Sequence, residues 1–187
     1  MNPPGSFAPE IPSLEPGKMS VEEFLKNDVE GYEYVKGEFV PMPPAAILHG
    51  KISVSVIRHL DLHVYQHQLG YVYTAETSFR VGERLLKPDV AFVSTARVPE
   101  DETKGSPVPP DLAVEVVSPT DSQWDVSDKV QAYLDAGTRM VWVLDPVLQT
   151  VAVYRPDKAF QLFQCDDTLT GENVVEGFSC QVARFFE

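Results

Sequence analysis

The chain has 187 residues, 43% of them hydrophobic and 23% charged, with a formal net charge of −13. That suits one globular domain with a sizeable core, and no apolar run approaches the roughly 18 residues a membrane span needs. The two cysteines, Cys165 and Cys180, make no disulfide framework, and the start, rich in Pro and Gly, has neither the basic nor the apolar region of a signal peptide, so a cytoplasmic location is expected.

In chain order, residues 1–19 read as an extended or mobile segment, and residues 20–187 as a single domain. Residues 20–27 (SVEEFLKN) read as a short helix, because Ser20 and Glu23 have the spacing of a capping box. Residues 32–35 and 38–42 alternate about Lys36-Gly37, which predicts a hairpin. From 48 to 69 the pattern is helical, with Ile52, Val56, Leu60 and Val64 on one stripe. A strand is expected over 71–81 and another over 87–94 (KPDVAFVS). Residues 95–110 form a long loop of a kind that is uncommon unless functional or disordered. DLAVEVVS (111–118) is a nearly continuous apolar strand. Residues 123–136 form a helix, with Ser122 and Asp125 spaced as a capping box and Gly137 as its C-cap. RMVWVLD (139–145) is a buried strand. Strands at 149–154 and 159–164 make a C-terminal hairpin that carries Lys158 at its surface, and a polar tail follows. Strands 71–81, 87–94 and 111–118 suit an antiparallel meander. The helix at 123–136 then crosses over to 139–145. The expected class is α/β, a mixed sheet flanked by helices in the order α-β-β-β-α-β, with added N- and C-terminal hairpins.

Two carboxylates stand out. Alternation puts Asp89 on one face with Ala91 and Val93, and Glu115 on one face with Ala113 and Val117. A carboxylate within an apolar strand is costly to bury unless it is paired or binds a metal. Two of them on successive strands suit a hard cation such as Mg²⁺. Spacing alone leaves exposed strand edges or arginine partners open. Lys129 flanks the apolar stripe of Val126, Val130, Tyr133 and Leu134, and its stem can lie on the sheet with its amine toward the carboxylates. A snorkelling surface lysine is the plainer reading of it. His59, His63 and His67 are spaced by four but lack a metal-binding context and read as packed or surface histidines. Trp142 reads as core, and Ser118 as a turn residue before Pro119.

KPDVAFVS, PPDLAVEVVSPTDS, DVSDKVQAYLDAG and MVWVLDP, with YEYVKGEFVPMPP and His49 upstream, resemble the Uma-type (Uma-two) restriction endonuclease family of the PD-(D/E)XK nuclease superfamily. The resemblance spans roughly residues 20–156. It implies a restriction-endonuclease-like core and a metal-dependent endonuclease that hydrolyses phosphodiester bonds, DNA being the expected substrate. It implies a Mg²⁺ (or Mn²⁺) ion held by Asp89, Glu115 and the strand carbonyl of Val116. Val117 stands where the superfamily has its lysine, and the resemblance matches Lys129 to the helix lysine that this family has instead. Glu33 and Glu38 match acidic positions of the family's hairpin, and His49 matches a residue beside the site. Exposed hairpin charges are an equal reading of the two glutamates. The acidic net charge argues against nucleic-acid binding, which usually shows a basic footprint. A catalytically inactive relative, binding nucleic acid or serving as a dimerising module, is the alternative. Cutting a duplex calls for two sites, so a homodimer is expected, joined by the strands after 146 or by the N-terminal hairpin.

Overall fold

The computed structural model describes residues 20–27, 29–42, 44, 46–157 and 159–187. The expected N-terminal segment 1–19 and the hairpin residue Lys158 lie outside them. Helix α1 (Val21–Asn27) starts at the expected capping box: Glu23 N–H donates to the Ser20 hydroxyl at 3.2 Å, and Ser20 N–H donates to the Glu23 carboxylate at 2.8 Å. Strands β1 (Tyr32–Val35) and β2 (Glu38–Pro41) pair antiparallel. Lys36 and Gly37 turn between them at φ 51° and 96°, the left-handed pair that a tight hairpin requires.

Helix α2 (Ile47–His67) follows, then β3 (Gly70–Thr74). The single strand expected over 71–81 is two strands. Polar Thr74–Ser78 turns, with the Thr77 N–H donating to the Thr74 carbonyl, and β4 (Phe79–Val81) leaves for another sheet. It pairs with β5 (Arg84–Leu86), and β5 pairs with β1, giving the order β2-β1-β5-β4. The strand expected from 87 begins at Val90, as β6 (Val90–Ser94), because Pro88 has no N–H for a ladder. The long loop 95–110 is pinned, its Ser106 exchanging backbone hydrogen bonds with Ser78 and Arg80.

Strand β7 (Leu112–Val116), helix α3 (Gln123–Ala136) and strand β8 (Met140–Asp145) make the expected parallel crossover. The Ser122 hydroxyl caps α3 by accepting from Asp125 N–H, and Gly137 closes it at φ 103°. Strands β9 (Thr150–Tyr154) and β10 (Phe160–Phe163) complete a six-stranded sheet ordered β10-β9-β8-β7-β6-β3. The expected meander is its β3-β6-β7 half, both pairs antiparallel.

The two faces of this sheet take different helices. Ile52, Val56, Leu60 and Val64 of α2 pack with Val90, Phe92, Leu112, Val114 and Val116. Val130 and Tyr133 of α3 pack with Ala91, Val93, Ala113, Val141 and Val143. The tail is not polar in its packing. Strands β11 (Thr168–Thr170) and β12 (Ser179–Gln181) and helix α4 (Ala183–Phe186) bury Leu169, Phe178, Val182 and Phe185 in the α2-side core, beside fully buried Trp142. Among the described residues no helix is long and apolar enough to cross a membrane.

Candidate active site

Strands β6 and β7 hold Val90 against Val114 and Ala91 against Ala113. The next step of that register sets Asp89 opposite Glu115. Alternation gives both the α3 face, where Ala91 and Ala113 pack under Val130 and Tyr133. Like charges so placed are unfavourable unless something positive lies between or beside them.

Each carboxylate is fixed through one oxygen. Asp89 Oδ2 accepts from Val116 N–H at 2.7 Å and meets His49 Nε2 at 3.0 Å. Glu115 Oε1 accepts from the Tyr133 hydroxyl at 2.8 Å. The second oxygens are left to the site: Glu115 Oε2 lies 3.7 Å from Lys129 Nζ, and no protein group among the described residues bonds Asp89 Oδ1. Pro88, opposite Val116 in the same register, has no N–H to donate. The Val116 N–H takes the Asp89 carboxylate instead. The Val116 carbonyl shares the strand edge of its own N–H, so it faces the same gap.

Lys129 Nζ donates to Glu33 Oε1 at 3.0 Å, and the same oxygen accepts from Lys87 N–H at 3.0 Å. Glu33, 5% exposed, reaches the site from β1 and ties the smaller sheet to α3 and to the segment before β6. His49 enters from the first turn of α2. The cluster thus draws on β1, α2, β7, α3 and the residue before β6.

Burial raises the Glu115 carboxyl above the ordinary carboxylate range; the Lys129 charge opposes this, and Asp89 and Glu33 add to it. Burial acts to lower Lys129, but Glu115 and Glu33 outweigh it and hold the amine protonated, with its pKa raised. Burial, then the Glu115 charge, keeps Tyr133 neutral and a donor. The bond to Asp89 raises His49, against its burial.

The residues singled out in the sequence divide cleanly. Asp89, Glu115, Val116, Lys129, Glu33 and His49 come together. Glu38 is exposed on β2 opposite Val35 and joins none of these contacts. His59 and His67 turn a ring nitrogen back to the carbonyls of Ser55 and His63, each at 2.9 Å, and His63 meets the Glu176 carbonyl. His59 and His63 are partly buried and His67 lies exposed at the surface. In the sequence Tyr133 reads only as part of an apolar stripe. Its signal was its place four residues after Lys129, together with the partner a buried hydroxyl needs. Among the described residues no three His, Cys, Asp or Glu side chains form a preformed metal cage. Two facing carboxylates and a carbonyl are nonetheless a fitting donor set for Mg²⁺, which keeps several waters.

The family described as "Uma2: Putative restriction endonuclease" matches residues 21–183. Among solved structures, one described as "a putative nuclease belonging to DUF820 from Anabaena variabilis" is similar to this chain, with a TM-score of 0.79 and 24% identity over 90% of this chain and 97% of that one. That likeness shows the fold. No curated protein matches.

Proposed function

The chain belongs to the Uma2 restriction endonuclease family, and from that premise we propose that it is a metal-dependent endonuclease that hydrolyses phosphodiester bonds of DNA. The observation that carries this reading is the register of β6 and β7, which sets Asp89 and Glu115 face to face beside Lys129. A Mg²⁺ or Mn²⁺ ion would be held by Asp89, Glu115 and the Val116 carbonyl. When bound, such an ion lowers the pKa of a coordinated water and neutralises phosphate charge.

The protein's own part is positioning and charge. His49 and Val116 N–H clamp one oxygen of Asp89 and leave the other free. Tyr133 holds one oxygen of Glu115 and leaves the other facing Lys129. Lys129, held by Glu33 on the sheet side, carries a fixed positive charge to where the phosphorane gains negative charge, and it can orient the attacking water. Glu33 and His49 are positioning residues in this scheme. Lys129 thus substitutes from the helix for the lysine that Val117 lacks.

The test is cleavage of plasmid DNA, single-stranded DNA and RNA with Mg²⁺ or Mn²⁺, by wild type, Asp89→Asn and Glu115→Gln. Each variant should lose about a hundredfold or more in rate while keeping the wild-type circular dichroism. Cleavage by both variants at the wild-type rate would refute the assignment. A wild type that binds Mn²⁺ but cuts no nucleic acid would favour the catalytically inactive relative.

A further inference from the structure

The outer face of α2 carries a stripe that the fold does not use. Its inner face buries Ile52, Val56, Leu60 and Val64. On the opposite side Ile47, Val54 and Tyr65 are 94%, 55% and 80% exposed, with Leu62 at their flank. Lys51, Arg58 and Asp61 complete this stripe, all three exposed. The positions 47, 51, 54, 58, 61 and 65 advance by four and three in turn, which is the repeat of a helix that packs along another helix. Among the described residues nothing covers the stripe, and none of Lys51, Arg58 and Asp61 forms an ion pair.

We propose that this face is a homodimer interface, with α2 packed antiparallel on α2 of a second copy about a twofold axis level with Val56. Residues equidistant from Val56 then meet across the axis. Ile47 packs on Tyr65 of the second copy, Lys51 reaches Asp61 of the second copy, and Val54 lies on the stem of Arg58 of the second copy. Each contact occurs twice, as an isologous interface requires.

Charge selects this arrangement. Parallel pairing sets Lys51 on Lys51 and Arg58 on Arg58. An antiparallel shift by one heptad leaves Ile47 and Lys51 without partners. Only the register centred on Val56 uses all six positions and joins opposite charges. The seam runs about 27 Å at 1.5 Å per residue. His49 lies on the opposite side of α2 from this seam, and the two His49 residues sit about 20 Å apart along the helix direction.

The experiment needs no activity. Sedimentation equilibrium would be run on the full chain as wild type, Lys51→Glu, Asp61→Lys and the double variant, with circular dichroism to check folding. The wild type should be a dimer at micromolar concentration. Each single exchange puts like charges across the seam twice and should weaken the dimer on the order of tenfold or more. The double variant should recover it. So should an equimolar mixture of the two single variants, which join opposite charges when they pair with each other. A wild-type monomer at high micromolar concentration overturns the proposal, including a monomer that dimerises only after residues 1–19 are removed. So does a dimer indifferent to these exchanges, which would put the interface elsewhere, for example at the β10 edge, where Phe160 and Leu162 are exposed. Weakening by each single exchange supports this register against the parallel one, in which every exchange only replaces like charges by like charges.

Discussion

At the residue scale the site is a competition between like charges, settled by one cation. Lys129 lies 3.0 Å from Glu33 and 3.7 Å from Glu115. Its removal leaves Asp89, Glu115 and Glu33 without that charge, yet takes no ligand from the proposed metal. Lys129→Ala should therefore keep Mn²⁺ binding and lose on the order of a hundredfold in DNA cleavage. Calorimetry beside a cleavage assay reads the split, and equal cleavage by variant and wild type would make Lys129 a surface lysine. The raised Glu115 carboxyl gives a second expectation. A carboxyl held above its usual range keeps its proton at higher pH, and a bound cation must displace that proton. Mn²⁺ binding should thus tighten as pH rises, with net proton release that Glu115→Gln abolishes. Titrations in buffers of different ionisation enthalpy measure that release, and identical apparent enthalpies would contradict it. Asp89 and Glu115 were legible in the sequence because a carboxylate in an apolar strand calls for an explanation. Tyr133 was not, because a tyrosine on an apolar stripe looks like packing until the partner of its hydroxyl is known.

At the element scale, periodic segments and hairpins with a clear turn are legible in the sequence, and the shortest strands are not. Helices α2 and α3 and strands β7 and β8 carry strong patterns, and their caps at Ser122 and Gly137 work as read. Strands β4, β5, β11 and β12 have three residues each, too few for a period to show. They pair through tertiary contacts, as Arg84 illustrates by forking onto Asp128 of α3 at 2.6 and 3.1 Å. The C-terminal stretch was misread for the same reason, since its apolar residues are scattered among polar ones. Phe185 is fully buried and packs beside Trp142, ring centres 6.3 Å apart. Phe185→Ala should cost about 3–5 kcal/mol, read as a lower urea midpoint at unchanged slope. A loss below 1 kcal/mol would mean that the tail only decorates the domain.

At the scale of the whole molecule the net charge of −13 has to be reconciled with a polyanionic substrate. Most of the cations are already committed. Arg80 pairs with Glu22, Arg84 with Asp128, Arg97 and Arg139 with Asp111, Lys104 with Asp101, Arg155 with Glu172 and Arg184 with Glu187. Lys129 belongs to the site. Among the described residues Lys26, Lys36, Lys51 and Arg58 remain outside such pairs, and the proposed dimer takes Lys51 and Arg58. Few charges among the described residues are then left to displace counterions from DNA. Each neutralised phosphate contributes about −0.9 to the slope of log affinity against log salt. A slope of about −3 or shallower follows, against the steep dependence of proteins that grip many phosphates. Binding should also depend on the divalent ion more than on ionic strength, since the proposed cation would turn the carboxylate pair of Asp89 and Glu115 into a phosphate site. Fluorescence anisotropy of labelled duplex DNA with Ca²⁺, as a function of potassium chloride, measures the slope without cleavage. A slope of about −6 or steeper would show a basic track that the folded chain assembles from elsewhere, and the acidic surface would then have to be turned away from the DNA.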